Sequence, residues 1–228
     1  LATPKVLEER VAKEDQPSFG KVFSTFFTKK NIGLSLGFVL LYRLGESQLV
    51  KMASPFFLDK RAAGGLELST TEVGFIYGTL GVIALLVGGI LGGIFISRDG
   101  LGKWMIPMAF AINAPNIGYV FLAWFQPDNV YFAALVVVIE QLGYGFGFAA
   151  FMVFLLFLAE GIFKTAHYAL ATGFMAMGMM LPGMLSGYVQ QWLGYPGFFV
   201  WVVIATIPGF VMAYTVKYPR EFGKKIEG

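Results

Sequence analysis

Six stretches of this chain, each of about 20 residues or more, are almost wholly apolar: Ile32–Leu58, Val73–Ile96, Trp104–Phe125, Val130–Leu158, Tyr168–Leu193 and Tyr195–Val216. Four of the six contain no Asp, Glu, Lys or Arg. Runs of that length match the roughly 30 Å hydrocarbon core of a bilayer, which a helix crosses in about 20 residues. Backbone groups in lipid must be satisfied internally, so only helices and closed barrels can cross. Barrel strands would be shorter and would alternate polar with apolar residues, which these stretches do not. The sequence therefore predicts an all-α membrane protein with six transmembrane helices in residues 31–218. Charged residues make up 14% of the chain against about 25% in an ordinary soluble domain, which fits that class.

The formal net charge of +3 conceals an asymmetry. With both termini on one side, that side receives Lys5, Arg10, Lys13, Lys21, Lys29 and Lys30 before span one, and Arg98 and Lys103 after span two. It also receives Lys164 after span four and Lys217, Arg220, Lys224 and Lys225 in the tail, whereas the other side receives Lys60 and Arg61. The positive-inside rule then makes both termini cytoplasmic. No apolar signal segment precedes span one, and the hydrophilic opening reads as a start in mid-protein. Residues 1–30 are expected to be a cytoplasmic linker and residues 219–228 a cytoplasmic tail. Within the linker, Phe19, Val22, Phe23, Phe26 and Phe27 recur at helical spacing among Lys21, Lys29 and Lys30, which predicts an amphipathic helix lying in the membrane interface. The chain has no cysteine, so disulfides and thiolate metal sites are excluded.

Connections between spans are short, so consecutive helices should be antiparallel neighbours. The longest, Asp59–Glu72, ends in Ser69-Thr-Thr-Glu72, a capping-box pattern for span two. Trp104, Trp124 and Trp192 fall at span ends, where an aromatic belt would put them. Glycines four apart (Gly74/Gly78, Gly88/Gly92, Gly89/Gly93, Gly143/Gly147 and Gly183/Gly187) are spaced for close helix packing. Pro107, Pro115, Pro182 and Pro208 should kink their spans. Asn113 and Asn116, on either side of Pro115, are expected to satisfy backbone groups freed there.

Charges inside the spans carry the functional reading. Each costs roughly 2.5–3.5 kcal/mol at a bilayer centre, so Arg43, Glu46 and Lys51 in span one and Glu140 in span four must face protein or water. On a helical wheel Arg43, Glu46, Ser47, Lys51 and Ser54 share one face. At about 1.5 Å per residue, Arg43 lies roughly 17 Å deep, Glu46 roughly 21 Å and Glu140 roughly 15 Å from the other end, so the depths match. One reading is a buried ion pair, Arg43 with Glu46 or with Glu140, that fixes helix orientation. The other is a substrate and proton site: Arg43 and Lys51 hold an anionic group, Glu46, Gln48, Gln141 and Tyr144 add contacts, and Glu140 takes up the coupling proton. Glu140 is preferred for that role because Glu46 has the more certain cationic neighbour. His167, the one histidine, falls near the interface and offers no metal site. No phosphate-binding loop, dinucleotide glycine pattern or HExxH pattern occurs, so no enzyme activity, cofactor, metal or nucleic-acid partner is expected.

The loop Gly92-Gly93-Ile-Phe-Ile-Ser97-Arg98-Asp99-Gly100-Leu-Gly102-Lys103 resembles the cytoplasmic signature of the major facilitator superfamily. Gly93, Arg98, Asp99, Gly100 and Lys103 would form that gate motif, with Ser97 where an Asp usually stands. The resemblance implies one half of a twelve-helix fold, here the C-terminal half, whose partner is an N-terminal six-helix half. Leu41-Tyr-Arg-Leu-Gly-Glu46, Ser54-Pro-Phe-Phe-Leu58, Thr71-Glu-Val-Gly74, Thr165-Ala-His-Tyr-Ala-Leu170 and Leu185-Ser-Gly187 resemble the muropeptide permeases and their acetyl-CoA transporter relatives. Lys51 departs from that pattern, which would place a small or polar residue there. The resemblance implies a proton-driven importer of small polar or anionic solutes in the bacterial inner membrane, with its first and fourth helices lining the cavity. A self-contained six-helix protein that dimerises and a lipid-modifying intramembrane enzyme are the alternatives.

Overall fold

The computed structural model describes residues 18–225, and helices are the only regular elements among them. Of the expected linker over residues 1–30, residues 1–17 lie outside the described residues. The helices are α1 (Phe19–Phe27), α2 (Ile32–Leu41), α3 (Leu44–Leu58), α4 (Thr70–Phe75), α5 (Val82–Asp99), α6 (Leu101–Asn113), α7 (Asn116–Phe125), α8 (Val130–Ala159), α9 (Lys164–Ile204) and α10 (Ile207–Thr215). A π-helical turn, Ile76–Gly81, joins α4 to α5. By length and composition four continuous helical runs can cross a membrane: Thr70–Asp99, Leu101–Phe125, Val130–Ala159 and Lys164–Thr215. The last is 52 residues long and is interrupted at Gly194, whose φ of 65° and ψ of 174° are not helical.

The stretch Ile32–Leu58, expected as one helix, is broken between α2 and α3. Neither a glycine nor a proline sits at the break; packing makes it. The Tyr42 ring stacks on Phe151 at 5.4 Å, and its hydroxyl donates to the Gly147 carbonyl at 3.2 Å. The Leu41 and Tyr42 carbonyls press on α10 where Gly209 has no Cβ; a Cβ there would lie 3.0 and 2.9 Å from them. Arg43 thus becomes the residue before α3 and adopts φ −109°, ψ 22°.

α8 is the central helix, packed against α5, α6, α9 and the π-helical turn. Its glycines point two ways. Gly143 and Gly147 face α6, where added Cβ atoms would collide with the Ala111 and Met108 carbonyls; Gly145 faces α5 and the Leu85 carbonyl. Ala111 supplies the carbonyl that Pro115, lacking an N–H four residues on, leaves without its helical donor. Gly88 and Gly92 of α5 make the reciprocal approach to Leu142 and Phe146 of α8. By contrast, Cβ atoms at Gly74, Gly78, Gly93 and Gly187 would meet nothing within 4 Å. Asn113 donates to the Ala109 carbonyl at 2.8 Å, while both side-chain atoms of Asn116 are buried without partners.

Loop contacts gather at two ends. At one, Arg61 donates to the Gln126 and Pro127 carbonyls at 2.6 and 3.2 Å, and Tyr195 donates to Asp59 at 2.6 Å. This end therefore joins the 59–69 loop, the α7–α8 loop and the break at Gly194. The capping box is present there: Glu72 N–H donates to Ser69 Oγ at 3.2 Å and Ser69 N–H to Glu72 Oε2 at 2.8 Å. At the other end, α1 docks on α9 through Val22 and Phe26 while Phe19 and Phe23 stay exposed. His167, expected near the interface, is 3% exposed, with Nε2 at 3.2 Å from both Thr25 Oγ1 and the Val22 carbonyl. Lys29 Nζ donates to the Leu158 and Glu160 carbonyls at 2.5 and 2.7 Å. Burial there lowers the Lys29 pKa, against a smaller opposite effect from Glu160.

Candidate functional site

Among the described residues only three charged side chains are buried: Arg43 and Glu46 at the start of α3, and Glu140 on α8, at 7%, 1% and 1% exposure. Their burial follows from the local fold. The α2–α3 break turns Arg43 toward α8, and Glu46 follows on the first turn of α3. Arg43 Nη2 donates to the Tyr144 hydroxyl at 2.5 Å. Its guanidinium lies 5.0 Å from the Tyr144 ring centre and 4.8 Å from that of Phe148. Tyr144 is one turn from Glu140 and Phe148 one turn further, so a single α8 stripe carries both the cation's cradle and the acid.

Neither expected ion pair forms. Among the described residues no contact within 4.0 Å joins Arg43 to Glu46 or Glu140. Glu46 has no hydrogen-bond partner on either carboxyl oxygen, and Arg43 Nε has none. Glu140 is better served. Gln141 Nε2 donates to it at 3.0 Å, and Tyr119 of α7 donates at 3.4 Å. Tyr119 is fully buried, and its hydroxyl lies 2.7 Å from that of Tyr77 on the π-helical turn. A crevice of about 380 Å³ runs from Ser54, Val73 and Gly74 to Tyr77, Tyr119 and Glu140.

Of the residues expected at the site, the structure brings Arg43, Glu46, Glu140, Gln141 and Tyr144 together. Gln48 turns away, accepting from Trp201 Nε1 at 2.8 Å. Lys51 is exposed, its stem beside Gly183 of α9, and does not join the buried group. The shared polar face of the wheel therefore divides: Arg43, Glu46 and Ser47 are buried, and Lys51 and Ser54 are exposed. Tyr77, Tyr119 and Phe148 were not anticipated. Their signal was weak, because tyrosine and phenylalanine are ordinary in apolar spans; what distinguishes them is the helix opposite.

The gate-motif residues form a second cluster, on the α5–α6 loop. Asp99 Oδ2 accepts from Arg98 at 3.0 Å and Trp104 at 3.0 Å, and pairs with Lys103 at 3.1 Å. Gly100 takes φ 84°, a left-handed conformation, and a Cβ there would sit 2.7 Å from the Arg220 carbonyl. The chain after α10 returns beneath this loop: Leu101 and Gly102 N–H donate to the Phe222 and Arg220 carbonyls at 2.9 and 2.8 Å, and Lys225 N–H donates to Ser97 at 2.7 Å. Residues 219–225, within the expected tail 219–228, form a strap that supplies acceptors to the N-terminal N–H groups of α6. A Cβ at Gly93 would meet nothing within 4 Å.

No protein-family model matches the chain. Over 222 residues, 97% of its length, it is 27% identical to the anhydromuropeptide permease of Escherichia coli K12. The chain is similar to a permease. It is also 26% identical over 204 residues to putative transporter AmpG 1 of Rickettsia prowazekii and 26% identical over 193 residues to putative transporter AmpG 4 of Rickettsia conorii. The matches cover 97%, 86% and 84% of this chain but only 42%, 44% and 45% of those relatives, so the chain spans less than half their length. These relatives are named as permeases or transporters and not as enzymes. With its apolar helices, the chain is an integral membrane protein.

Proposed function

We propose that this chain is the C-terminal half of a proton-coupled secondary transporter that moves an anhydromuropeptide-like solute by alternating access against an N-terminal six-helix half. The observation that carries the proposal is the buried group Arg43, Glu46 and Glu140, held in the membrane region on two helices without mutual ion pairs. Buried charges left unpaired cost several kcal/mol each, and a structure that mainly needed rigidity would have paired or replaced them. Intramembrane ionisable groups of this kind mark substrate and proton pathways. Arg43, cradled by Tyr144 and Phe148, presents a cation to an anionic solute group such as a peptide carboxylate. Glu140, hydrogen-bonded to neutral donors, takes up the coupling proton. Lys51 and Ser54, exposed on the same helix, face the side where the other half would stand.

Six crossings follow from lengths. A straight run of 52 residues would span about 78 Å at about 1.5 Å per residue, more than twice a bilayer core of about 30 Å. The break at Gly194 therefore divides Lys164–Thr215 into two crossings, and α2 with α3 make one bent crossing. The excess of basic residues supports a cytoplasmic position, at a bacterial inner membrane, for the end bearing Lys29, Arg98, Lys103 and Lys164. The test is uptake of labelled anhydromuropeptide into vesicles holding the full-length protein under an imposed pH gradient, with and without an uncoupler. Glu140→Gln is expected to abolish gradient-driven uptake and to spare exchange of bound substrate far more. Uptake in wild-type vesicles that ignores the uncoupler would overturn the proton coupling.

A further inference from the structure

Resting on that functional reading, we propose that the Tyr77–Tyr119 hydroxyl pair is the path by which a proton from the outer aqueous phase reaches Glu140. Glu140 is 1% exposed and Tyr119 is 0% exposed, so water has almost no direct access to the acid, although both residues line the inner end of a crevice. A continuous series of polar atoms does reach it. The crevice of about 380 Å³ begins at Ser54, Val73 and Gly74, beside the 59–69 loop, and ends at the tyrosines and the acid. Tyr77, half-buried on its wall, sits 2.7 Å from the Tyr119 hydroxyl, which sits 3.4 Å from Glu140 Oε2. Phe57 lies 5.8 Å from the Tyr77 ring and 5.9 Å from the Tyr119 ring, and Phe199 lies 5.4 Å from Tyr119. Apolar rings thus flank the hydroxyls and leave each only the next one in line.

Two tyrosine hydroxyls in contact are unusual here because neither completes a helix cap or a backbone bond. In their observed geometry one oxygen must donate and the other accept, and Tyr119 can donate onward only to Glu140. Transfer is balanced. A proton arriving from the crevice binds the Tyr77 oxygen as the hydroxyl proton of Tyr77 passes to Tyr119, whose own proton passes to Oε2; each phenol ends neutral and Glu140 has gained one proton. Tyr77 is carried by the π-helical turn Ile76–Gly81, a departure from α-helical geometry found frequently at functional sites. The titratable groups facing Glu140 are Glu46 from α3, Tyr77 from the π-helical turn and Tyr119 from α7; on α8 itself Tyr144 holds Arg43. None of the others offers an outward route: Glu46 is 1% exposed and bonded to nothing.

Tyr119→Phe and Tyr77→Phe keep the rings and remove the hydroxyls. The full-length protein in vesicles is subjected to a step in external pH, and the protonated-carboxyl stretch is followed by time-resolved infrared spectroscopy; Glu140→Gln identifies the band. The expected result is that the Glu140 band rises at least about tenfold more slowly in either Phe variant. Gradient-driven uptake should slow in parallel, and exchange of bound substrate should fall far less. A purely structural role would depress exchange and uptake alike and leave the band's rate unchanged. If the band rises at the wild-type rate in both variants while Glu140→Gln still uncouples uptake, the relay is overturned and the functional reading stands. If the wild-type protein shows no Glu140 band and its uptake ignores the pH gradient, the functional reading fails and the relay with it.

Discussion

Arg43 shows how much one residue announces by its place in the sequence. A guanidinium inside an apolar run is too costly to leave in lipid, so its burial against protein was readable. Its partner was not readable as such. Tyr144 was expected only as one neutral donor among several, yet it takes the Arg43 hydrogen bond at 2.5 Å, and the rings of Tyr144 and Phe148 take the face of the cation. Lys51 lies apart from the buried group: a wheel assigns a face but not what lies against it, and Lys51 is exposed beside Gly183 of α9. The planar fork of Arg43 is what fits this cradle, and an ammonium would not replace it. Arg43→Lys is therefore expected to raise the apparent KM for anhydromuropeptide uptake about tenfold, equivalent to about 1.4 kcal/mol, with a smaller change in maximal rate. An unchanged KM in the same vesicle assay would remove Arg43 from substrate contact.

At the scale of elements, hydropathy marked out the helices, and the capping box at Ser69 and Glu72 forms as its sequence pattern required. The break between α2 and α3 could not be read, because it depends on Tyr42 wedging against α8 and on Gly209 yielding space from the far end of the chain. Glycine spacing was similarly half-informative. Gly88, Gly92, Gly143 and Gly147 are contact glycines, but Gly74 and Gly78 share their spacing and touch nothing, and Gly145 stands outside any such pair. Spacing reports that two positions lie on one face and is silent on whether a backbone passes there. The distinction can be measured. Gly143→Ala places a methyl group into the Ala111 carbonyl and should cost about 1–3 kcal/mol, read as a lowered unfolding midpoint in detergent. Gly74→Ala should leave the midpoint unchanged or raise it slightly, since alanine is the better helix former and its methyl group meets open space. Equal effects at the two positions would mean that α6 and α8 do not approach as closely as described.

For the whole molecule, the decisive question is how Lys164–Thr215 is threaded. Composition alone divides it near Gly194, and the structure places that break beside Asp59 through Tyr195 and beside Gly64, at the end that also holds Arg61 and the α7–α8 loop. Two crossings put Gln191, Lys60 and Asp128 on one face of the membrane and Lys103 and Lys164 on the other. One crossing would bury Gln191 in the bilayer. The absence of cysteine from this chain makes the alternatives separable with little disturbance. Single Lys60→Cys, Gln191→Cys and Lys164→Cys variants of the full-length protein, freed of any cysteine elsewhere, can be treated in intact cells with a membrane-impermeant maleimide. The first two should label at once, and the third only after permeabilisation. Labelling of Gln191→Cys from neither side would show a single long crossing. Labelling of Lys164→Cys in intact cells, with Lys60→Cys protected, would invert the orientation and set the Tyr77 crevice toward the cytoplasm, so that the proton on Glu140 would have to arrive from inside.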